Sequence, residues 1–220
     1  MSYLSQADLG GHVVPGRIVP EAEGELFHAP WEPRALALTL AMGATGSWNI
    51  DMARSARETL PDYSRLGYYQ IWFEALQKLL AERGLVQEDE LRSGRATGAG
   101  PALPRVLRAD AVARVLAAGA PTQRAETAPA AFAEGDAVRT RDTPAPHHTR
   151  LPAYVSGKCG RIERVHAMHV FADAHAQGKG EQPQWLYTVV FDGADLWNEP
   201  GAAGLQVSVD AWESYLEPGA

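Results

Sequence analysis

AGAPTQRAETAPAAFAEG, residues 118–135, is where the chain changes character. The stretch is rich in Ala, Pro and Thr and carries neither a helical nor a strand period, so it reads as a linker. On its N-terminal side the signals are helical. Pro33 follows Trp31-Glu32 where a first helical turn tolerates proline, and Arg34 to Met42 is Ala/Leu-rich up to Gly43. Asn49 or Asp51 can cap a second helix running to about Thr59, ahead of Pro61. Leu66 to Arg83 is the strongest segment, with Tyr69, Trp72, Phe73, Leu76, Leu79 and Leu80 at spacings of three and four and Gly84 as a stop. Weaker helices are expected at Gln87–Arg92 and Arg108–Ala117. On the C-terminal side the pattern switches to short β segments at Ala137–Arg141, Gly160–Val165, Leu186–Phe191 and Leu205–Val209, divided by Gly/Pro/Asp turns. Short strands of this kind suit a small, strongly bent barrel.

The first 32 residues show no sustained period, yet hold Tyr3, Leu4, Leu9, Val13, Val14, Ile18, Val19, Leu26, Phe27 and Trp31. Apolar groups on an irregular arm suggest that it lies against another surface, such as a second subunit. The expected fold class is α+β in four parts: an extended arm (1–32), a helical domain (33–117), a linker (118–135) and a β-barrel domain (136–220).

Composition removes several function classes. One cysteine, Cys159, in 220 residues excludes an intramolecular disulfide framework and any cysteine-cluster metal site built from this chain. The balance of 20 Lys+Arg against 27 Asp+Glu argues against nucleic acid, which needs a positive patch to release counterions. Met1 to Val14 has no basic or apolar leader pattern, and Ala35–Ala44 is about half of the ~20 apolar residues a membrane span needs. A cytoplasmic protein with no membrane partner is expected.

The chain has no phosphate-binding Gly loop, zinc-protease helix motif or nucleophile elbow. His166, His169 and His175 read as solvated loop histidines rather than ligands, because an i, i+3 pair on an alternating strand faces opposite sides. His147-His148 reads as exposed turn chemistry. Arg54 is expected to pair with Glu58 at i+4, and Tyr68 with Trp72 shares one helical face.

Seven segments, taken in order, carry more. They are DLGG (Asp8–Gly11), FHAPWE (Phe27–Glu32), Arg54 after an acidic helix start, YYxxW (Tyr68–Trp72), HxRLPAY (His148–Tyr154), LYTVVF with DLW (Leu186–Trp197) and ESYLEP (Glu213–Pro218). In this order and at these gaps the chain resembles the β subunit of nitrile hydratase over nearly its whole length. The resemblance implies a C-terminal SH3-like β-barrel and an αβ heterodimer or (αβ)2 assembly that hydrates small-molecule nitriles to amides. It implies low-spin cobalt(III) or iron(III) bound by the partner α subunit and not by this chain, with two of the cysteine ligands oxidised.

By motif position Arg54 and Arg150 would hydrogen-bond the oxidised cysteine oxygens. A planar, permanently charged guanidinium suits such oxygens better than an ammonium does. Tyr68 and Trp72 would form the substrate pocket, and Glu58 would orient Arg54. Ala53 stands where the family often has a larger group, implying a roomier pocket. Alternatives are a subunit of a thiocyanate-hydrolysing enzyme and a metallochaperone or activator for the α subunit.

Overall fold

The computed structural model describes residues 5–11, 16–17, 19–142, 145–197, 202 and 204–219. Of the arm's apolar residues, Tyr3, Leu4, Val13, Val14 and Ile18 lie outside the described residues. The chain divides into two compact units, one built mainly from residues 12–119 and one from residues 8–11 with 120–220.

The first unit is helical: α1 (Glu32–Gly43), α2 (Ile50–Glu58), α3 (Tyr68–Glu82), α4 (Glu88–Ser93) and α5 (Val112–Ala118). Pro33 sits in the first turn of α1, where its missing N–H costs no helical bond. Asn49 caps α2, its side-chain oxygen accepting from Met52 N–H at 2.8 Å. At the start of α3, Gln70 Oε1 accepts from Gly67 N–H at 2.7 Å, which satisfies a donor the helix cannot. The core is Trp48, Ala56, Leu60, Ala75, Leu76 and Leu79.

Only part of the apolar stripe on α3 enters that core. Leu76 and Leu79 are buried, whereas Tyr68 is 66% and Phe73 38% exposed. The other side of the stripe meets the end of the arm. Phe27 lies 5.2 Å from Tyr69 and Trp31 6.4 Å from Phe73, ring centre to ring centre. The aromatic end of the arm therefore packs on this chain's own helix, while Leu9, Val19 and Leu26 remain exposed.

The second unit is an antiparallel sheet of six strands: β1 (Gln123–Arg124), β2 (Ala137–Thr140), β3 (Cys159–His169), β4 (Gln184–Asp192), β5 (Gln206–Trp212) and β6 (Leu216–Pro218). Their order is β5-β4-β3-β2-β6, with β1 added to β3. β4 has the cleanest alternation: Trp185, Tyr187, Val189 and Phe191 are buried and the residues between them are not. Two register shifts in β3, between Ile162 and Arg164 and between Val165 and Met168, let that long strand bend.

Among the described residues the strand path is not closed on itself. All three residues of β6 pair with β2, and the path from β5 to β6 runs through the 3-10 turn Glu213–Tyr215. Two short helices, α6 (Ala172–Ala176) and α7 (Gly193–Trp197), complete the unit.

Residues 125–132 of the linker stretch are strapped to this sheet. Trp185 Nε1 donates to Ala128 O at 2.8 Å, and Phe132 stacks edge-on against Tyr187 at 5.7 Å. Ala131 N–H donates to Glu213 Oε2 at 2.9 Å.

Three of the seven segments meet in one clasp within this unit. Asp8 Oδ2 accepts from Ala153 N–H at 2.7 Å, Gly11 O accepts from Trp197 Nε1 at 3.0 Å, and Tyr154 stacks on Trp197 at 5.9 Å. Gly11 has φ of +71°, and a Cβ there would stand 2.8 Å from Tyr154 Cβ. Backbone conformation and space both demand glycine. Gly11→Ala should lower stability by about 1–3 kcal/mol. Gly98→Ala, where a Cβ meets open space, should not; thermal unfolding of the two variants checks the difference.

Candidate functional site

Arg54 lies in the middle of α2, and its ion pair runs toward the helix start: Nη1 donates to Asp51 Oδ1 at 3.0 Å. Asp51 is 5% exposed and occupies the first turn, where the helix dipole favours a carboxylate. The Arg54 side chain keeps 35% of its surface exposed. The backbone carbonyl of Glu58, one turn on, accepts from Gln6 N–H at 2.7 Å. The missed residue, Asp51, had a signal in the sequence, an acid three positions before the arginine.

Tyr68 and Trp72 do share a face of α3, their rings 5.8 Å apart and tilted by 47°. The Arg57 guanidinium, from α2, sits 4.7 Å from the Trp72 ring centre. Arg57 Nε donates to Ala53 O at 3.2 Å. Burial, and then the charge of Arg54, hold the Arg57 guanidinium below its ordinary value. Arg54, Arg57, Tyr68 and Trp72 therefore form one cationic and aromatic face of the helical unit.

Arg150 is exposed and lies in the loop before the 3-10 turn Ala153–Val155 of the sheet unit. One hydroxyl ties that loop to α6. Tyr215 Oη accepts from Arg150 N–H at 3.0 Å and from Thr149 Oγ1 at 3.1 Å, and donates to Asp173 Oδ1. Burial and the adjacent Asp173 push the Tyr215 phenol far above its usual value, so it keeps the proton it donates. Asp173, on α6, is 5% exposed.

The histidines fall differently from expectation. His148 is 2% exposed, not on a solvated turn, because the loop folds inward beside Asp173. His166 and His169 lie on β3 rather than in a loop, His166 Nε2 at 2.8 Å from Thr188 Oγ1 and His169 Nδ1 at 2.9 Å from Thr122 Oγ1. Among the described residues no three His, Cys, Asp or Glu side chains gather as a metal site. Cys159 is exposed at the start of β3. Among the described residues no helix is long and apolar enough to cross a membrane.

Two family sequence models together match residues 4–218. The one described as "Nitrile hydratase beta subunit, N-terminal" matches residues 4–126, and the one described as "Nitrile hydratase beta subunit, C-terminal" matches residues 121–218. The chain belongs to the nitrile hydratase β-subunit family. It is similar to the low-molecular weight cobalt-containing nitrile hydratase subunit beta of Rhodococcus rhodochrous, at 35% identity over 96% of this chain and 97% of that one. It is similar to nitrile hydratase subunit beta of Pseudomonas putida at 32% identity, over 96% and 97% of the two chains. A shorter match, 38% over 88 residues, is to thiocyanate hydrolase subunit alpha of Thiobacillus thioparus, covering 39% of this chain and 70% of that one.

The nitrile hydratase relatives span the helical and sheet units together.

Two outcomes test the Tyr215 arrangement. Tyr215→Phe removes the acceptor of Arg150 N–H and the donor to a buried carboxylate, and should cost about 1–3 kcal/mol. Hydrogen exchange should show the Arg150 amide losing protection before those of β4. The second concerns pH. Burial, set against the Tyr215 hydrogen bond and the charges of His148 and His147, raises the Asp173 carboxyl above 3.8. The folded state then holds this proton more tightly than the unfolded chain does. The stabilising contribution is fully present below the unfolded value and is lost as pH rises through the raised one. Relative to Asp173→Asn, the parent chain should therefore gain stability as pH falls through that window; denaturant titrations at several pH values measure it.

Proposed function

We propose that the chain is the β subunit of a nitrile hydratase: with an α subunit, as a cytoplasmic αβ heterodimer or (αβ)2 assembly, it hydrates small-molecule nitriles to amides. Family membership supports the activity. The observation that carries the residue roles is the seating of Arg54, a guanidinium fixed by a buried carboxylate yet still partly exposed.

The reading assigns cobalt(III) or iron(III) to the α subunit, and the name of the Rhodococcus rhodochrous relative supports cobalt in that protein. This chain's one cysteine, Cys159, is exposed at the start of β3. When bound in the partner, the trivalent ion supplies Lewis-acid polarisation. This chain's part is to place Arg54 and Arg150 as charged donors to the oxidised cysteine oxygens, which are costly to bury without donors. Asp51 fixes the Arg54 fork, and Glu58, one turn on, lies on the same helix as a further orienter.

Tyr68 donates a hydrogen bond near the reacting atoms, and Trp72 packs against the nitrile's substituent. The reading extends to the fold. It takes residues 136–220 as an SH3-like barrel, supported by the bends in β3 and the 3-10 turn before β6, and keeps the divisions at residues 32, 117 and 135. The exposed part of the arm, Leu9, Val19 and Leu26, is read as partner-facing.

The match to thiocyanate hydrolase subunit alpha favours a second reading, a subunit of a thiocyanate-hydrolase-like enzyme. The continuous match over both halves of the chain weighs for the first.

Co-expression with an α-type chain bearing a CxxCxC segment should give a coloured, metal-bearing complex that converts acrylonitrile or benzonitrile to amide and leaves thiocyanate unchanged. Arg54→Lys and Arg150→Lys should each lower turnover about ten- to hundredfold, the worth of a charge-assisted hydrogen bond. Full activity in both variants would overturn the arginine roles. Stoichiometric cobalt or iron on the purified chain by itself would overturn the division of labour between subunits.

A further inference from the structure

Trp72 stands on the second turn of α3 with two neighbours that differ in kind. Tyr68, four residues earlier, brings a ring to 5.8 Å on the same helix. Arg57 comes from the last turn of α2, its guanidinium carbon 4.7 Å from the indole centre. A second point fixes the guanidinium, since Nε donates to Ala53 O at 3.2 Å. Arg57 is also crowded by the like charge of Arg54 and partly desolvated, and both effects draw its value down. A cation in that position gains more from an indole face than a solvated one does.

A half-buried tryptophan has two side-chain torsions and several staggered wells, so its plane is defined only if something holds it. We propose that Arg57 is a specificity-determining positioning residue: bridging α2 to α3, it clamps the Trp72 indole and so fixes the plane against which a nitrile's substituent packs. This rests on the reading of Trp72 as pocket wall. Flat aromatic substituents, which need a defined ring plane to stack on, depend on the clamp more than small aliphatic ones.

Arg57→Met keeps an apolar stem and removes both the cation and Nε, while Arg57→Lys restores the charge without the bond to Ala53. In the αβ complex, Arg57→Met should raise KM for benzonitrile about five- to tenfold with kcat within about twofold. KM for acrylonitrile should stay within about twofold, and Arg57→Lys should recover part of the benzonitrile loss. A second readout needs no turnover. The indole N–H resonance of Trp72 in the full chain, assigned by its loss in Trp72→Phe, should shift in Arg57→Met while those of Trp48 and Trp185 stay in place. Equal KM rises for both nitriles, or an unmoved Trp72 resonance, would overturn the clamp. Absence of any nitrile hydration by the parent complex would instead overturn the proposed function, and the resonance would then decide the clamp by itself.

Discussion

A buried carboxylate needs a donor, and in the sheet unit that need organises the loop that matters. Asp173 accepts the hydrogen bond that Tyr215 Oη–H donates, and the same phenol oxygen has lone pairs for Thr149 and for the backbone of Arg150. Each of these groups would cost about 1–3 kcal/mol if left unpaired in the interior, so the arrangement stands or falls together. The other end of the loop is pinned as well, by Asp8 on Ala153 N–H and by Trp197 on Tyr154. A surface segment that would otherwise keep its loop entropy is thus tied at both ends to elements distant in sequence.

The helical unit solves the matching problem by a different route. There the arginine is held through its side chain, by a carboxylate one turn earlier on a capped helix. A guanidinium has five N–H donors, so one bond to Asp51 fixes the fork without using up its capacity. The loop that carries Arg150 is tied through its main chain, Arg150 N–H donating to Tyr215 Oη. On the proposed reading these two modes predict different sensitivities: Arg54 depends on one residue in its own helix, Arg150 on a network that spans the sheet.

The five helices of the first unit and the four main strands were legible because each has a period or a cap of its own. Asn49, Pro33 and the alternation of Trp185 to Phe191 mark their elements directly. β1 and β6 were not legible: two and three residues carry no period, and both exist only because a longer strand offers them a partner. Strand count and turn spacing do not report whether the last strand reaches the first, so they leave the closure of the sheet open. The site divides in the same way. The positions of Arg54, Tyr68, Trp72 and Arg150 are visible in the motifs, but Asp173 and Tyr215 meet only after folding. The inward turn of His148 had no sequence signal, since the residues that bury it lie elsewhere in the chain.

The fixing residues show why motif residues are insufficient by themselves. Asp51, Arg57, Asp173 and Tyr215 present no chemistry to a nitrile on the proposed reading, yet each removes a degree of freedom from a residue that does. An arginine aimed at charged oxygens on another chain cannot be neutralised by a full set of partners at home, and an arginine left to wander would pay its ordering entropy at every encounter. For Arg54 the arrangement is one buried anchor, Asp51, with the side chain still partly exposed. It also explains how a chain of net charge −7 can present a cationic face. Asp51, the carboxylate that anchors Arg54, is buried, while the Arg54 side chain of the helical unit stays partly exposed.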